Sequence, residues 1–221
     1  MLNTVEAIRQ RRSVRAFLPD EVPESQLREI FMLAQQAPSN CNTQPWLVHV
    51  VAGAKARALK QRLTAAAMDP AQHKPDFPFD GRYAGIYKDR QHDAAARLYG
   101  AMGVERDDRA ARGQAMLRSF GFFDAPHAAF VFLPEPFGIR EATDCGMYAQ
   151  ALMLLLTAYG LASCPQAALS FHPHIVREVL GVPDSQQLLL GIAFGHEDKA
   201  APANACRVPR AALADAVSFH R

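Results

Sequence analysis

The alternation of apolar and polar positions divides the chain into helix-period and strand-like stretches. Asn3 followed by Glu6 has the spacing of a capping box, and Val5 and Ile8 share one helical face, which predicts a short helix over residues 4–11. Leu27, Ile30, Phe31 and Ala34 make an apolar stripe over 24–37, and Pro38 stops it. Residues 46–51 are strand-like, and the continuous apolar runs 128–133 and 187–194 suit buried strands. Further helices are expected over 54–67, 85–99, 105–123 and 173–180, the last closed by Gly181. The most apolar stretch lies in a helix expected over 141–159 and closed by Gly160, roughly 28 Å long at about 1.5 Å per residue. Such a rod suits a dimer core. Between these elements, 69–83 carries Pro70, Pro75 and Pro78 and reads as a long loop of the kind that tends to be functional.

Composition narrows the class. At 221 residues, 49% hydrophobic and 21% charged, the chain is an ordinary folded protein for which one domain over 1–221 is the default. Its net charge is +2 and the basic residues are scattered, so nucleic acid is not implied. Cys41, Cys145, Cys164 and Cys206 form no C-x-x-C pair and read as reduced thiols in a cytoplasm. The first fifteen residues lack the apolar core of a secretory signal, and the apolar stretch 149–156 falls well short of the roughly 18 residues of a membrane span. No membrane role is expected.

Two segments carry candidate chemistry. Arg11-Arg12-Ser13-Val14-Arg15 sets three guanidinium groups and a hydroxyl directly after a short helix, a donor set that suits a phosphate monoester. Solvated cations at the negative end of a helix dipole have the same appearance. The second segment runs from Ala37 through Pro38, Ser39, Asn40, Cys41, Asn42, Thr43, Gln44 and Pro45 to Trp46, between a helix and a strand. Its amides and hydroxyls both donate and accept, as the pyrimidine edge and ribityl hydroxyls of a flavin require. Turn chemistry alone also explains Pro, Ser and Asn there.

Together, R-R-S-x-R and, about twenty-five residues on, A-P-S-x-x-N-x-Q-P-W resemble the opening of the FMN-dependent nitroreductase family. Gly160 to Gln166 is similar to that family's loop after the long dimer helix. Gly195-His196-Glu197-Asp198 with Asn204-Ala205-Cys206-Arg207 is similar to its C-terminal signature. The resemblance implies an α+β fold: an antiparallel sheet flanked by helices, in an intertwined homodimer with a swapped C-terminal tail over 200–221. It also implies FMN as cofactor and NAD(P)H as reductant. Arg11, Ser13, Arg15 and Arg207 are then expected on the FMN phosphate, with Arg12 along the ribityl or pyrimidine side. Pro38, Ser39 and Asn40 are expected from the partner subunit, with Asn42 and Gln44 nearby. Pro165, Gln166 and Ala167 would lie along the ring, a backbone N–H near Ala167 donating to flavin N5. No side chain is assigned a catalytic role; Gln44 and that N–H at most assist.

Other readings carry less. His172-Pro173-His174 suggests a helix start rather than a metal pair, since no third ligand is in view, and no metal is expected. Cys164 lacks the signature of a nucleophile and reads as a buried loop thiol. No G-x-G-x-x-G follows a strand, so a nicotinamide would share the open face of the flavin. Residues 69–118 form the family's variable excursion, a lid in which Arg82, Tyr83, Tyr87 and Lys88 are candidates for the flavin O2 contact. Their pattern looks closest to nitrobenzoate reductases. Phe77, Phe79, Tyr83, Tyr87 and Tyr99 offer faces to a small aromatic acceptor, and Arg82, Lys88 and Arg90 offer cations to a carboxylate on it. Quinone or ene reduction, dehalogenation and flavin fragmentation use the same scaffold, and a flavin-holding protein without turnover is the alternative outside enzymes.

Overall fold

The computed structural model describes residues 2–78 and 81–221; Met1, Phe79 and Asp80 lie outside the described residues, and with them one of the lid aromatics. The helices are α1 (Thr4–Gln10), α2 (Glu24–Ala34), α3 (Gly53–Ala66), α4 (Gly85–Ala101), α5 (Arg109–Phe120), α6 (Ile139–Ala158) and α7 (Pro173–Leu180). The strands are β1 (Leu47–Val51), β2 (His127–Pro134), β3 (Ala162–Gln166) and β4 (Gln186–Gly195), in sheet order β1-β2-β4-β3 with every pairing antiparallel. No helix among the described residues is long and apolar enough to cross a membrane.

Because successive side chains of a strand point to opposite faces, β2 feeds two cores. Ala128, Phe130 and Phe132 meet α3, α5 and α7 through Leu59, Leu63, Phe120 and Val176; Ala129, Val131 and Leu133 meet α2 and α6 through Ile30, Tyr148, Leu152 and Leu156. The sheet is therefore covered on both faces, which is why β2 reads as an unbroken apolar run.

Local chemistry sets the ends of the helices. Asn3 Oδ1 accepts from Glu6 N–H at 3.0 Å and Glu6 Oε2 accepts from Asn3 N–H at 3.0 Å, the capping box that the sequence predicts. Gly160, at φ 78, closes α6: its N–H reaches Thr157 O at 3.0 Å and Leu161 N–H reaches Leu156 O at 2.8 Å. Gly181 does the same for α7 at φ 71.

Three expectations are corrected. Residues 162–166 form a strand rather than a loop; β3 is an edge strand, the place where Pro165, lacking an N–H, is tolerated. The helix expected over 105–123 starts at Arg109, capped by Asp108 Oδ1 on Ala111 N–H at 2.9 Å, and ends at Phe120. Phe122, Phe123 and Asp124 all take positive φ (60, 52 and 71), which no α-helix admits. The helix expected over 24–37 stops at Ala34, and residues 35–37 tighten into i to i+3 turns before Pro38.

Candidate functional site

On leaving α1 the basic segment runs beside β3. Val14 N–H donates to Ser163 O at 3.1 Å, and Ser13 pairs with Ser163 in a parallel bridge. Two residues on, Arg15 N–H donates to Asn204 Oδ1 at 2.7 Å, so the N-terminal motif is stitched to both β3 and the C-terminal turn. Arg12 forms an ion pair with Glu197, leaving its Nη1 buried without a partner. Arg207 is held from behind, its Nη1 donating to Asn204 O at 2.7 Å and Cys206 O at 3.0 Å.

Apart from the Arg12–Glu197 pair, charge in this corner is uncompensated. Burial and then the neighbouring Arg210 guanidinium pull the pKa of Arg11 below its ordinary value. Among the described residues, Arg11, Arg15, Arg207 and Arg210 have no carboxylate within ion-pair distance. Cys164, on β3, has its thiol pushed up to about 11 by burial, with Arg15, Ser13 and Arg11 pulling the other way. It is the buried thiol expected, on a strand instead of a loop.

Beyond β3 the chain turns through a short 3-10 segment, Ala167–Ser170. Ala167 is exposed at its head, where the first N–H groups of a helical turn have no carbonyl inside the turn to bond. Gln166 is buried: its Nε2 donates to Ser119 O at 2.7 Å at the end of α5, and its Oε1 has no partner. Pro165 is half-buried.

The amide-rich loop is folded against α6. Buried Asp144 accepts from Asn40 N–H at 3.1 Å, and Ser39 Oγ accepts from Gln44 N–H at 2.9 Å. Cys41, Asn42 and Gln44 take φ 50, 56 and 47; Asn tolerates this region, whereas Cys and Gln are strained in it. The side chains of Asn40, Asn42 and Gln44 are exposed. Among the described residues no hydrogen bond or ion pair joins this loop, Pro38 included, to the arginine segment of the same chain.

A profile of the Nitroreductase family matches residues 8–196. The chain belongs to the nitroreductase family. It is 46% identical over 215 residues to Nitroreductase NfnB of Mycolicibacterium smegmatis, covering 97% of this chain and 91% of that one. It is 33% identical over 207 residues to a 4-nitrobenzoate reductase of Pseudomonas putida, covering 92% and 89%. A solved FMN-dependent nitroreductase NfnB from Mycobacterium smegmatis, in complex with NADPH, superposes with a TM-score of 0.94 at 45% identity, covering 99% and 98%. Family membership makes the chain an oxidoreductase and bears out the expected fold of an antiparallel sheet between helices.

The segment 69–118, expected to form a lid, is less uniform than its sequence suggests. Phe77 packs half-buried against the core of α2 and α6, and Tyr99 is covered by the Arg112 guanidinium at 5.1 Å. Tyr83 and Tyr87 remain open, at 50% and 65% exposure, with Arg90 over the Tyr87 ring at 5.9 Å. His172 stands at the start of α7 with Nδ1 2.8 Å from Gln72 O. Glu197, Asn204 and Asp144, which hold the site together, carried no role in the sequence reading. Their partners lie 185, 189 and 104 residues away, beyond any local pattern.

Proposed function

We propose that this nitroreductase binds FMN with its phosphate among Arg11, Ser13, Arg15 and Arg207 and uses NAD(P)H to reduce a nitroaromatic acceptor. The observation that carries the reading is the gathering of arginines without carboxylates, next to a buried and unpartnered Arg12 Nη1. Like charges held together in a partly buried corner favour an anion of high charge, and a guanidinium fork matches phosphate oxygens. Arg12 Nη1 is an orphan donor for the ribityl or pyrimidine oxygens. The open N–H groups at the head of the Ala167 turn are backbone donors for the ring, beside Pro165 and Gln166. The residues present therefore fit the group.

Bound FMN would supply the redox chemistry, taking hydride at N5 from the nicotinamide and passing the reducing equivalents to the acceptor. The chain itself binds, orients and supplies charge. Having no dinucleotide fold of its own, it offers nicotinamide and acceptor the same open face in turn, a ping-pong order.

A homodimer completes the site. Among the described residues no hydrogen bond ties the exposed amides of the loop 38–44 to the arginines of its own chain, which favours a second copy as the source of the expected contacts of Pro38, Ser39, Asn40, Asn42 and Gln44. The tail supports the same reading: residues 207–221 are all exposed, Leu213 at 65% and Phe219 at 78%, a cost in apolar hydration that a partner surface removes.

Absorbance of the purified protein and steady-state NAD(P)H oxidation with a nitroarene and with a quinone test the reading. A flavin spectrum with one FMN per chain and turnover of the nitroarene are expected. Protein that is colourless and takes up no added FMN would overturn it, and turnover of the quinone alone would reassign the acceptor.

A further inference from the structure

The two cations expected on the phosphate from opposite ends of the chain, Arg15 and Arg207, meet at one residue. Asn204 is 4% exposed, and every polar atom of its side chain is used: Oδ1 accepts from Arg15 N–H at 2.7 Å, while Nδ2 donates to Ala16 O at 2.9 Å and Asp198 O at 2.8 Å. Its own carbonyl accepts from Arg207 Nη1 at 2.7 Å, and its N–H is spent on Ala201 O at 2.9 Å. Ala16 O also receives Asp198 N–H at 3.1 Å, so the strip 15–16 is bound by side chain and backbone to the turn after β4. An amide is the one neutral group of this size that accepts at one atom and donates twice at the other.

We propose that Asn204 is a positioning residue for the phosphate site: it fixes the Arg15 backbone and the Arg207 guanidinium relative to each other and thereby sets the preference for a phosphorylated flavin. The inference rests on the FMN reading above. Its consequence is specific, because the bonds of Asn204 tie the Arg15–Ala16 strip and Arg207 to the turn after β4 and none reaches Pro165, Ala167 or the loop 38–44. Loss of Asn204 is therefore felt by the phosphate and not by the ring.

Flavin-free protein titrated with FMN and with riboflavin, which lacks the phosphate, separates the two. Wild type is expected to bind FMN more tightly than riboflavin by a hundredfold or so, from at least two charged hydrogen bonds. Asn204→Ala is expected to erase roughly tenfold or more of that ratio while leaving riboflavin affinity within about threefold. In the double variant with Arg15→Ala the ratio should fall by less than the two single losses combined, since the amide acts in part through that arginine. Should the alanine variant fail to fold, Asn204→Asp keeps the volume and the acceptor for Arg15 but turns an oxygen toward Ala16 O and Asp198 O; the same loss of ratio is expected. A folded variant of either kind that retains the full wild-type ratio, or a loss shared equally by riboflavin, overturns the inference. Wild type with no preference for FMN over riboflavin would instead overturn the phosphate site on which it rests.

Discussion

Leu169 lies over Gly191: a Cβ at position 191 would stand 2.5 Å from Leu169 Cδ1 and 2.6 Å from its Cβ. The bare backbone of β4 at this point lets the Ala167–Ser170 turn settle onto the sheet. Leu169 is fully buried, so it has nowhere to retreat. Gly191→Ala is expected to cost about 1–3 kcal/mol of stability as an overpacked core, read by thermal unfolding. It should also weaken riboflavin and FMN binding alike, because the turn and not the phosphate corner is displaced. An alanine variant of unchanged Tm and flavin affinity would show that the turn accommodates the methyl.

The phosphate corner predicts the opposite pattern. Arg15→Ala and Arg207→Ala should each weaken FMN by about 1.5–3 kcal/mol, the range for a hydrogen bond to a charged group, with little effect on riboflavin. Fluorescence titration of flavin-free protein measures both. Unchanged FMN affinity in both variants would return the basic segment to a set of solvated cations.

Much of this was legible in the sequence, and the misses share a cause. Local signals survive translation into structure: the Asn3–Glu6 box, the Gly160 and Gly181 closures and the apolar run of β2 all appear where the pattern puts them. Edge strand β3 was not visible because Ser163, Cys164 and Pro165 have no strand-like alternation; it exists by pairing with β4, whose Ile192 and Ala193 lie opposite. The left-handed turn at Phe122 to Asp124 was equally hidden, since nothing in two phenylalanines favours positive φ; burial of both rings, Asp124 N–H on Gly121 O at 3.1 Å and the Arg118–Asp124 ion pair hold it. The arginines were readable as a motif, whereas Asn204 and Glu197, which orient them, depend on contacts across the whole chain.

Acid should destabilise the fold through its histidines. His127 is 2% exposed and its Nε2 accepts from Val22 N–H at 2.9 Å; burial lowers its pKa, and burial likewise lowers that of His172, also 2% exposed. A histidine whose folded pKa lies below its unfolded value binds its proton more readily when unfolded. Stability is then whole above the unfolded pKa of about 6.5 and is lost as pH falls below it, by up to about 1.4 kcal/mol per pH unit for each such group. Urea unfolding between pH 7.5 and 5 should show that decline. His127→Gln, which keeps an acceptor for Val22, should flatten it; an identical slope in the variant would remove His127 from the account.

The exposed tail makes the proposed dimer separable from the fold. Truncation after Arg210 deletes Leu213, Val217 and Phe219, exposed at 65%, 43% and 78%, without removing any buried residue of its own chain. Light scattering across a dilution series should show a weaker dimer and, with it, weaker FMN binding. A truncated protein that keeps both the dimer and the flavin would assign the interface to surfaces outside the tail.

The choice of acceptor is expected to lie with the segment 69–118. With Phe77 packed against the core and Tyr99 covered, the aromatic faces left for a flat ring among the described residues are Tyr83 and Tyr87, and Arg90 already stands over the latter. Stacking adds about 0.5–1.5 kcal/mol beyond burial, and an arginine pairs bidentately with a carboxylate. A nitroarene carrying a carboxylate is therefore expected to be preferred over its neutral counterpart, by roughly tenfold for one charged hydrogen bond. The kcat/KM ratio of 4-nitrobenzoate to nitrobenzene measures this in the wild type and in Arg82→Ala, Lys88→Ala and Arg90→Ala. Because Arg90 is placed by Tyr87, its variant should lower the ratio most, and Tyr87→Phe, which keeps the ring face, should preserve it. If nitrobenzene is reduced as well as the acid, or all three cation variants leave the ratio untouched, the lid selects for ring shape alone and the carboxylate preference is wrong.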